Sequence, residues 1–368
     1  MSTIISIGTA VPVHRHRQEH ILPFMQRIYG LEKATARKLN ALYHQSAIDT
    51  RYSVIPDYSL PADQWKFYPP TENLEPFPSL EKRMRWYREH AAALSLKAIQ
   101  RCLRDRCAAH AITHLITVSC TGMSAPGLDL ELVEALGLPS QIFRTSVNFM
   151  GCYAAVHALK LAHALAATPG SKVLIVCTEL CTLHFQQEPT LDNLLSSLLF
   201  ADGAAAALVV SDDALAPQET GLRLKSFYSE IVPEGKSAMT WGLSSTGFQM
   251  TLTAYVTDLI RADFGTLVGH ALESSGIGRD HIGAWCIHPG GKRILDAIGN
   301  SLSLTNGELD TSYAVLRQYG NMSSPTILFV LRELMEKMEQ RPPNCIFGAA
   351  FGPGLTMETF VAEPSKKI

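Results

Sequence analysis

One stretch organises this chain, and it reads Ser146-Val147-Asn148-Phe149-Met150-Gly151-Cys152-Tyr153-Ala154-Ala155. Alanine and leucine dominate the residues after Cys152, and no Pro or Gly interrupts them before Pro169, so we predict a helix from about residue 152 to 166. Upstream, residues 142–147 predict a short strand. Gly151 lies where the predicted strand bends into the helix. Glycine suits this position because it adopts backbone angles that a residue with a Cβ resists.

The predicted helix places the thiol of Cys152 at its N-terminus. Unpaired backbone N–H groups and the helix dipole stabilise a thiolate there, which makes a cysteine nucleophilic. Free cysteine is also among the most buried residue types, so the alternative interpretation is a small residue that fills the core. This stretch alone leaves both interpretations open.

The length and composition indicate a large globular chain. It has 368 residues, which is long for one hydrophobic core and favours two domains or a duplicated core. Hydrophobic residues make up 46%, which is enough for large buried sheets. A formal net charge of -2 gives no reason to expect binding to nucleic acid or an anionic membrane. We also expect no signal peptide and no membrane span, because the N-terminal residues lack a basic region and no apolar run is long enough.

The cysteines indicate a reducing compartment. None of the eight forms a C-x-x-C pair, and most lie in apolar segments that predict strands. This pattern favours reduced thiols in a cytoplasmic protein over a disulfide framework or a zinc site. We therefore expect no metal ion.

Strands and helices alternate through both halves of the chain, which predicts an α/β fold. The best internal boundary is the polar stretch 212–220, so we predict an N-terminal half at 1–215 and a C-terminal half at 216–368. The predicted strands are 1–10, 114–119, 142–147, 172–177, 204–211, 222–229, 282–287, 345–351 and 355–361. The predicted helices are 16–29, 34–44, 80–106, 128–136, 152–166, 192–200, 256–274, 291–302 and 325–337. Residues 56–78 predict a surface loop, and residues 201–203 predict a turn.

A second motif carries His288 in the sequence Trp285-Cys286-Ile287-His288-Pro289-Gly290-Gly291. A buried strand ends in an irregular Pro-Gly-Gly turn, and a helix follows directly. In open α/β sheets, ligands bind at the carboxyl ends of the strands, where this imidazole is expected. The alternative is a core histidine whose hydrogen bonds are satisfied.

Two further motifs lie near the C-terminus. Asn321 lies in Tyr319-Gly320-Asn321-Met322-Ser323-Ser324-Pro325, just before a predicted helix, and its alternative role is a helix N-cap. Residues 348–356 contain Gly352-Pro353-Gly354, which either form an ordinary hairpin turn or let the backbone approach a ligand closely.

Together these motifs resemble one family, the chalcone synthase-like enzymes or type III polyketide synthases. The matching motifs are Gly151-Cys152, His288-Pro289-Gly290-Gly291, Gly320-Asn321-Met322-Ser323-Ser324 and Phe351-Gly352-Pro353-Gly354-Leu355-Thr356. Residues 46–52 and Phe200-Ala201-Asp202-Gly203 also resemble that family, which usually has Phe-Gly-Asp-Gly at the latter position. The resemblance covers nearly the whole chain. It implies the thiolase fold, in which two similar α/β halves pack as a five-layer αβαβα structure, in a homodimer.

The resemblance also implies a reaction. Cys152 would take an acyl group from an acyl-CoA as a thioester, and His288 would keep its thiolate ionised as an ion pair. His288 and Asn321 would donate hydrogen bonds to the thioester oxygen of malonyl-CoA while it loses carbon dioxide. The enolate would then attack the acyl thioester, and the chain would extend again and cyclise. Coenzyme A thioesters are the only small-molecule partners implied, with no metal or redox cofactor.

Other residues are implied to bind the substrate. Phe200 and Met250 match the two gatekeeper positions, both of which are Phe in plant enzymes. Small side chains at Thr121, Ala125 and Cys181 are similar to bacterial members that hold long acyl chains in a tunnel. The remaining implied residues are Cys120 and Ser323 at the substrate, and Gly291, Arg293, Gly352 and Gly354 at coenzyme A. Neutral drift in a buried lining is the alternative for the small residues.

These residues favour a medium- or long-chain fatty acyl starter and an alkylpyrone or alkylresorcinol product. Cys120 supports an alternative, because it resembles tetrahydroxynaphthalene-forming synthases, which use malonyl-CoA alone. A ketoacyl synthase III is the nearest rival outside the family. A cysteine hydrolase and a non-catalytic subunit with the same fold are the more distant alternatives.

Overall fold

The computed structural model describes residues 1–368 except 217, 254, 306, 339, 341 and 366–368. Residue 217 and the last three residues belong to the predicted boundary and the predicted C-terminal half, and they lie outside the described residues. The strands are β1 Ser2–Ala10, β2 His14–Arg17, β3 Thr50–Ser53, β4 His114–Ser119, β5 Phe143–Asn148, β6 Lys172–Leu180, β7 Asp202–Ser211, β8 Leu222–Ile231, β9 Met239–Ser244, β10 Gly247–Leu252, β11 Ile282–Ile287, β12 Cys345–Gly352 and β13 Thr356–Pro364.

Helices make up most of the remaining regular structure. They are α1 Gln18–Tyr29, α2 Lys33–Gln45, α3 Leu80–Leu103, α4 Leu128–Leu136, α5 Ala154–Leu165, α6 Leu191–Leu199, α7 Tyr255–Ser275, α8 Lys292–Ser301, α9 Asp310–Tyr319 and α10 Thr326–Met338. Across the described ranges, none of them combines the length and the apolar character that crossing a membrane requires.

A large mixed sheet forms the centre of the molecule. Within the described residues it has nine strands in the order β11-β12-β13-β8-β1-β7-β6-β4-β5. The strands of the two halves meet where residues 2–4 of β1 pair with residues 222–224 of β8. β7 is buried along its whole length, as expected for a strand that helices cover on both faces. The predicted α/β class is confirmed.

Alternate residues of β7 separate two cores. Ala204, Ala206 and Leu208 belong to one core with α3, while Ala205 and Ala207 belong to the other with α5. Helix α5 contacts β4–β7 and also β13, and α10 contacts β1, β7 and β11. On the outside, α3 packs on β1, β6 and β7, and α7 packs on β8. The layers are therefore α3, N-terminal strands, α5 with α10, C-terminal strands, and α7.

Several element predictions are wrong in their details. The helix predicted at 16–29 begins at Gln18, because His14–Arg17 pairs with Thr50–Ser53 in a small separate sheet. Residues 201–203 are not a turn, since Asp202 and Gly203 begin β7 and pair with the end of β6. The sequence patterns also do not predict helix α9 or the β9–β10 hairpin.

The predicted surface loop at 56–78 is partly buried. Phe67, Tyr68 and Leu74 lie in the core. The carboxylate of Asp57 accepts hydrogen bonds from the backbone N–H groups of residues 66–68 at 2.7–2.9 Å, which holds this aromatic segment inward. Composition alone gives no sign of that contact.

Candidate active site

Gly151 connects the end of β5 to the start of α5 and brings two of the motifs together. Its φ is +83°, and a Cβ at this position would lie 2.2 Å from Cδ of Pro353. The turn after β12 therefore packs directly on the backbone beside Cys152. Cys152 itself lies in the turn before α5, which begins at Ala154.

A chain of hydrogen bonds links Cys152 to the Asn321 and His288 motifs. The thiol donates to Ser323 Oγ at 3.6 Å. The backbone N–H of Ser323 donates to Asn321 Oδ1 at 2.8 Å, and Asn321 Nδ2 donates to the carbonyl oxygen of Gly290 at 3.3 Å. Asn321 is therefore not the N-cap of α10, which begins at Thr326.

The ring of His288 is buried behind this network. It is 1% exposed, and neither ring nitrogen has a hydrogen-bond partner among the described residues. A core histidine held only for packing would have these nitrogens paired, because buried polar atoms without partners are costly. The geometry therefore favours a ring that is kept ready for a ligand.

The surroundings favour neutral side chains at Cys152 and His288. Burial raises the pKa of Cys152 to about 11, although hydrogen bonds from Ser323 and Asn321 oppose this shift. Burial lowers the pKa of His288 to about 3. Burial therefore penalises the charged form of each group, and the implied thiolate–imidazolium pair would have to offset this penalty by mutual attraction.

Cys152 opens into an internal cavity that holds most of the predicted substrate residues. The empty space, including its mouth, is ≈ 960 Å³. Its lining includes the predicted residues Phe200, Met250, Cys120, Thr121, Cys181, Ser323 and Gly352. Ile21 and Met25 of α1 line it as well, so the cavity reaches from Cys152 to that helix.

Other predicted residues, with His288 and Asn321 among them, lie outside this lining. Ala125 is exposed and lines a separate surface groove next to β5. Arg293 is exposed at the start of α8, and Gly291 immediately precedes that helix. Gly354 lies in the turn after β12 with a φ of +74°. The structure of this single chain therefore does not bring Ala125 together with Thr121 and Cys181.

Comparison with known proteins assigns the family. Residues 1–213 match the family "Chalcone and stilbene synthases, N-terminal domain", and residues 223–364 match "Chalcone and stilbene synthases, C-terminal domain". The chain belongs to the chalcone and stilbene synthase family. It is therefore a condensing acyltransferase of the type III polyketide synthase class, and the hydrolase and non-catalytic alternatives are set aside.

Two curated relatives are similar to this synthase over nearly its whole length. The 3,5-dihydroxyphenylacetyl-CoA synthase of Streptomyces toyocaensis is 30% identical over 98% of the chain and 89% of the relative. The probable polyketide synthase 1 of Dictyostelium discoideum is 30% identical over 97% of the chain, which spans 11% of that much longer protein.

Solved structures share the fold. PKS-I from the brown alga Ectocarpus siliculosus has a TM-score of 0.91 at 26% identity, covering 99% of this chain and 98% of that one. The C-terminal type III polyketide synthase domain of Steely1 from Dictyostelium has a TM-score of 0.88 at 30% identity, covering 98% and 99% respectively. The synthase therefore has the thiolase fold.

The sequence patterns do not predict a buried acid that lies close to Cys152. Glu179, at the end of β6, accepts hydrogen bonds from the Cys120 backbone N–H at 2.9 Å, the Thr121 hydroxyl at 2.7 Å and the Ser324 hydroxyl at 2.8 Å. Burial raises its pKa to about 7. Glu179 thus joins the loop after β4 to the Asn321 segment. In the sequence, the sign of this contact is a single acidic residue in an otherwise apolar strand.

An aromatic wall closes one side of the cavity in the synthase. The rings of His184 and Phe248 stack with centroids 4.3 Å apart, and Trp241 meets them edge-on. The Phe248 N–H donates to His184 Nδ1 at 3.1 Å, so Nε2–H donates to the Thr121 carbonyl at 2.8 Å. Trp241 Nε1 donates to the Cys120 carbonyl at 2.7 Å. The wall is therefore fixed to the residues beside Cys152.

Proposed function

We propose that this synthase loads a medium- or long-chain fatty acyl group onto Cys152, extends it with malonyl-CoA and releases an alkylpyrone or alkylresorcinol. In the loading step, the thiol attacks the acyl-CoA carbonyl and transfers its proton to a free nitrogen of His288. The bond between the carbonyl carbon and the coenzyme A sulfur then breaks, and His288 returns the proton to that sulfur, so coenzyme A leaves as a thiol. The neutral imidazole described above supports this role, because it can accept that proton.

The decarboxylation step uses the same pair of residues. As malonyl-CoA loses carbon dioxide, negative charge develops on its thioester oxygen. The N–H of His288 and the second N–H of Asn321 Nδ2 are the proposed donors to that oxygen. Two observations support this: the His288 ring nitrogens have no partner among the described residues, and one of the two Asn321 N–H groups goes to Gly290.

The cavity carries the proposal for the starter. Its lining includes Cys152, the small side chain of Cys181, the flexible Met250, and Ile21 and Met25 of α1. Because each buried methylene contributes roughly 0.8 kcal/mol, an alkyl chain in this space is favoured over a short starter. The support for a long alkyl starter therefore comes from Cys181 and Thr121, since Ala125 is outside the cavity.

The test is a series of saturated acyl-CoA starters of increasing length, with products identified by mass spectrometry. We expect preference to rise with chain length until the cavity is full and then to fall. Cys181→Phe should shorten the preferred starter, while Cys181→Ser, which keeps the size of the side chain, should not. Unchanged chain-length preference in Cys181→Phe would contradict the proposed path of the tail.

A malonyl-CoA-only synthase is the second candidate, because Cys120 lies beside the nucleophile. Its Sγ accepts the backbone N–H of Gly151 at 3.0 Å, and Cys120 lines the same cavity. A wild-type enzyme that incorporates only malonyl units, and rejects every fatty acyl-CoA, would favour this candidate.

We also propose the binding of coenzyme A and the assembly state. Gly352 and Pro353 line the cavity mouth beside Gly151, so the pantetheine arm would pass them and Gly354. Exposed Arg293, with Gly291 at the start of α8, would interact with phosphate.

Edge strand β5, with exposed Phe143 and the nearby exposed Met123, supports the proposed homodimer. A complex with coenzyme A and light scattering of the purified protein test these two proposals. Cytoplasmic localisation remains a proposal.

A further inference from the structure

Two residues that line the cavity each carry a buried polar atom without a partner. In the described part of the chain, Arg51 Nη2 and Ser196 Oγ are buried and make no hydrogen bond, and both residues line the cavity that contains Cys152. No other described side chain with such an atom belongs to this lining. Because unpaired buried donors are costly, a ligand atom that accepts hydrogen bonds from them is bound favourably.

The guanidinium of Arg51 is fixed by its other nitrogens. The residue is 5% exposed. Its Nε donates to Gln18 Oε1 at 2.9 Å, and its Nη1 donates to the Phe200 carbonyl at 2.7 Å. The neighbouring Tyr43 hydroxyl donates to the Ser197 carbonyl at 3.1 Å. Arg51 forms no salt bridge among the described residues, so this buried cation has no direct counter-charge.

Ser196 lies one helical turn before Phe200, whose backbone N–H donates to the Ser196 carbonyl at 3.2 Å. Arg51 and Ser196 therefore each form a hydrogen bond with the backbone of the same gatekeeper residue, Phe200. The adjacent Ser197 differs, because its hydroxyl donates to the Leu194 carbonyl at 2.8 Å. The chain thus offers two neighbouring serines on α6, one with a free hydroxyl and one with a paired hydroxyl.

We propose that Arg51 and Ser196 form a subsite that binds a keto oxygen of the growing poly-β-keto chain. The inference rests on the proposed extension of acyl-Cys152 by malonyl-CoA. Each extension adds a β-keto oxygen, and a 1,3-dicarbonyl group readily forms an enolate. A buried guanidinium with one unpaired N–H group and no salt bridge, attracted only from a distance by Asp202, suits such an oxygen, because hydrogen bonds to ionised groups are the strong ones. The subsite retains partly extended chains and so sets the number of condensations.

The test compares Ser196→Ala with Ser197→Ala. Each enzyme receives the starter that the wild type extends best together with malonyl-CoA, and mass spectrometry counts the malonyl units in every product. In Ser196→Ala we expect the ratio of fully extended to early-released products to fall about fivefold, the effect of losing one hydrogen bond. Ser197→Ala should keep the wild-type ratio. Arg51→Lys should shift the ratio in the same direction as Ser196→Ala.

The subsite is overturned by a wild-type ratio in Ser196→Ala, or by a shift in Ser197→Ala equal to that in Ser196→Ala. A wild type that adds a single malonyl unit to every starter also overturns it. The malonyl units in a product can be counted with any starter that the enzyme extends. A wild type that rejects fatty acyl-CoA but extends another starter therefore refutes the proposed starter and leaves this test intact.

Discussion

At the scale of single residues, the proposed catalysis depends on a proton that Cys152 must lose. Burial raises the pKa of Cys152 to about 11 and lowers that of His288 to about 3, so burial favours the neutral form of each at pH 7. We therefore expect the rate of alkylation of Cys152 by iodoacetamide to rise about tenfold per pH unit through pH 9, because only the thiolate reacts. Peptide mass spectrometry measures this rate, with Cys152→Ala as the control. A plateau below about pH 8 would instead show a stable ion pair with His288.

His288 and Asn321 should affect chemistry more than stability. His288→Ala or Asn321→Ala should each reduce malonyl-CoA decarboxylation by about 10²–10³, the usual loss for one oxyanion donor. His288→Ala leaves a cavity but also removes two buried nitrogens that have no partner within the described residues, so the melting temperature should fall less than after truncation of a buried leucine. A fall in melting temperature with an unaltered rate would show a structural role.

At the scale of elements, the turn between β5 and α5 packs against the Pro353 turn at Gly151, the residue before Cys152. Gly151 and Gly137 both have positive φ, at +83° and +61°, but only at Gly151 would a Cβ meet another atom within 4 Å. Gly137→Ala should therefore cost only about 1 kcal/mol of strain, and activity should persist. Gly151→Ala should displace Pro353 and greatly reduce product formation. Equal activity in the two variants would contradict this packing.

The Glu179 network should make stability depend on pH. Its pKa rises from 4.5 to about 7 on folding, so the folded state binds more protons between these values and loses stability as pH increases through this range, by roughly 3 kcal/mol at most. Urea denaturation at a series of pH values measures the trend. Buried His184 and His288, whose pKa values burial lowers to about 3, contribute with the opposite sign below pH 6.5, so the contribution of Glu179 is the difference between the wild-type and Glu179→Gln curves. Glu89→Gln, at an exposed site on α3, should give the wild-type curve. Equal curves for the wild type and Glu179→Gln would show that the carboxyl is ionised throughout.

Local patterns predicted most elements, because apolar runs such as β6 and β7 and alanine-rich α5 carry their own signal. The motif residues were also found, since Gly151, His288 and Asn321 interrupt such runs. Long-range contacts were not predictable. Nothing local shows that residues 14–17 pair with residues 50–53, that Glu179 binds the loop after β4, or that Trp241 and His184 form one wall. The position of Ala125 outside the cavity also depends on the path of the loop, which its neighbours in sequence do not specify.

At the scale of the whole molecule, the two halves share one interior. Helix α5 belongs to the N-terminal half and contacts β13, while α10 belongs to the C-terminal half and contacts β1 and β7. Buried residues of both helices, such as Leu159 and Leu328, belong to the same core. The proposed catalytic residues are divided in the same way, because Cys152 comes from one half and His288 and Asn321 from the other. A functional site therefore requires that this central layer be formed.

This shared interior predicts that the halves unfold together. Leu94 in α3 and Leu267 in α7 are buried in the outer layers of the N-terminal and C-terminal halves. Leu94→Ala and Leu267→Ala should each cost about 2–5 kcal/mol, the usual range for a buried leucine. Because α5 and α10 connect the halves, both substitutions should lower the temperature of one common calorimetric transition. If the halves were independent, two transitions would appear, and each substitution would move a different one.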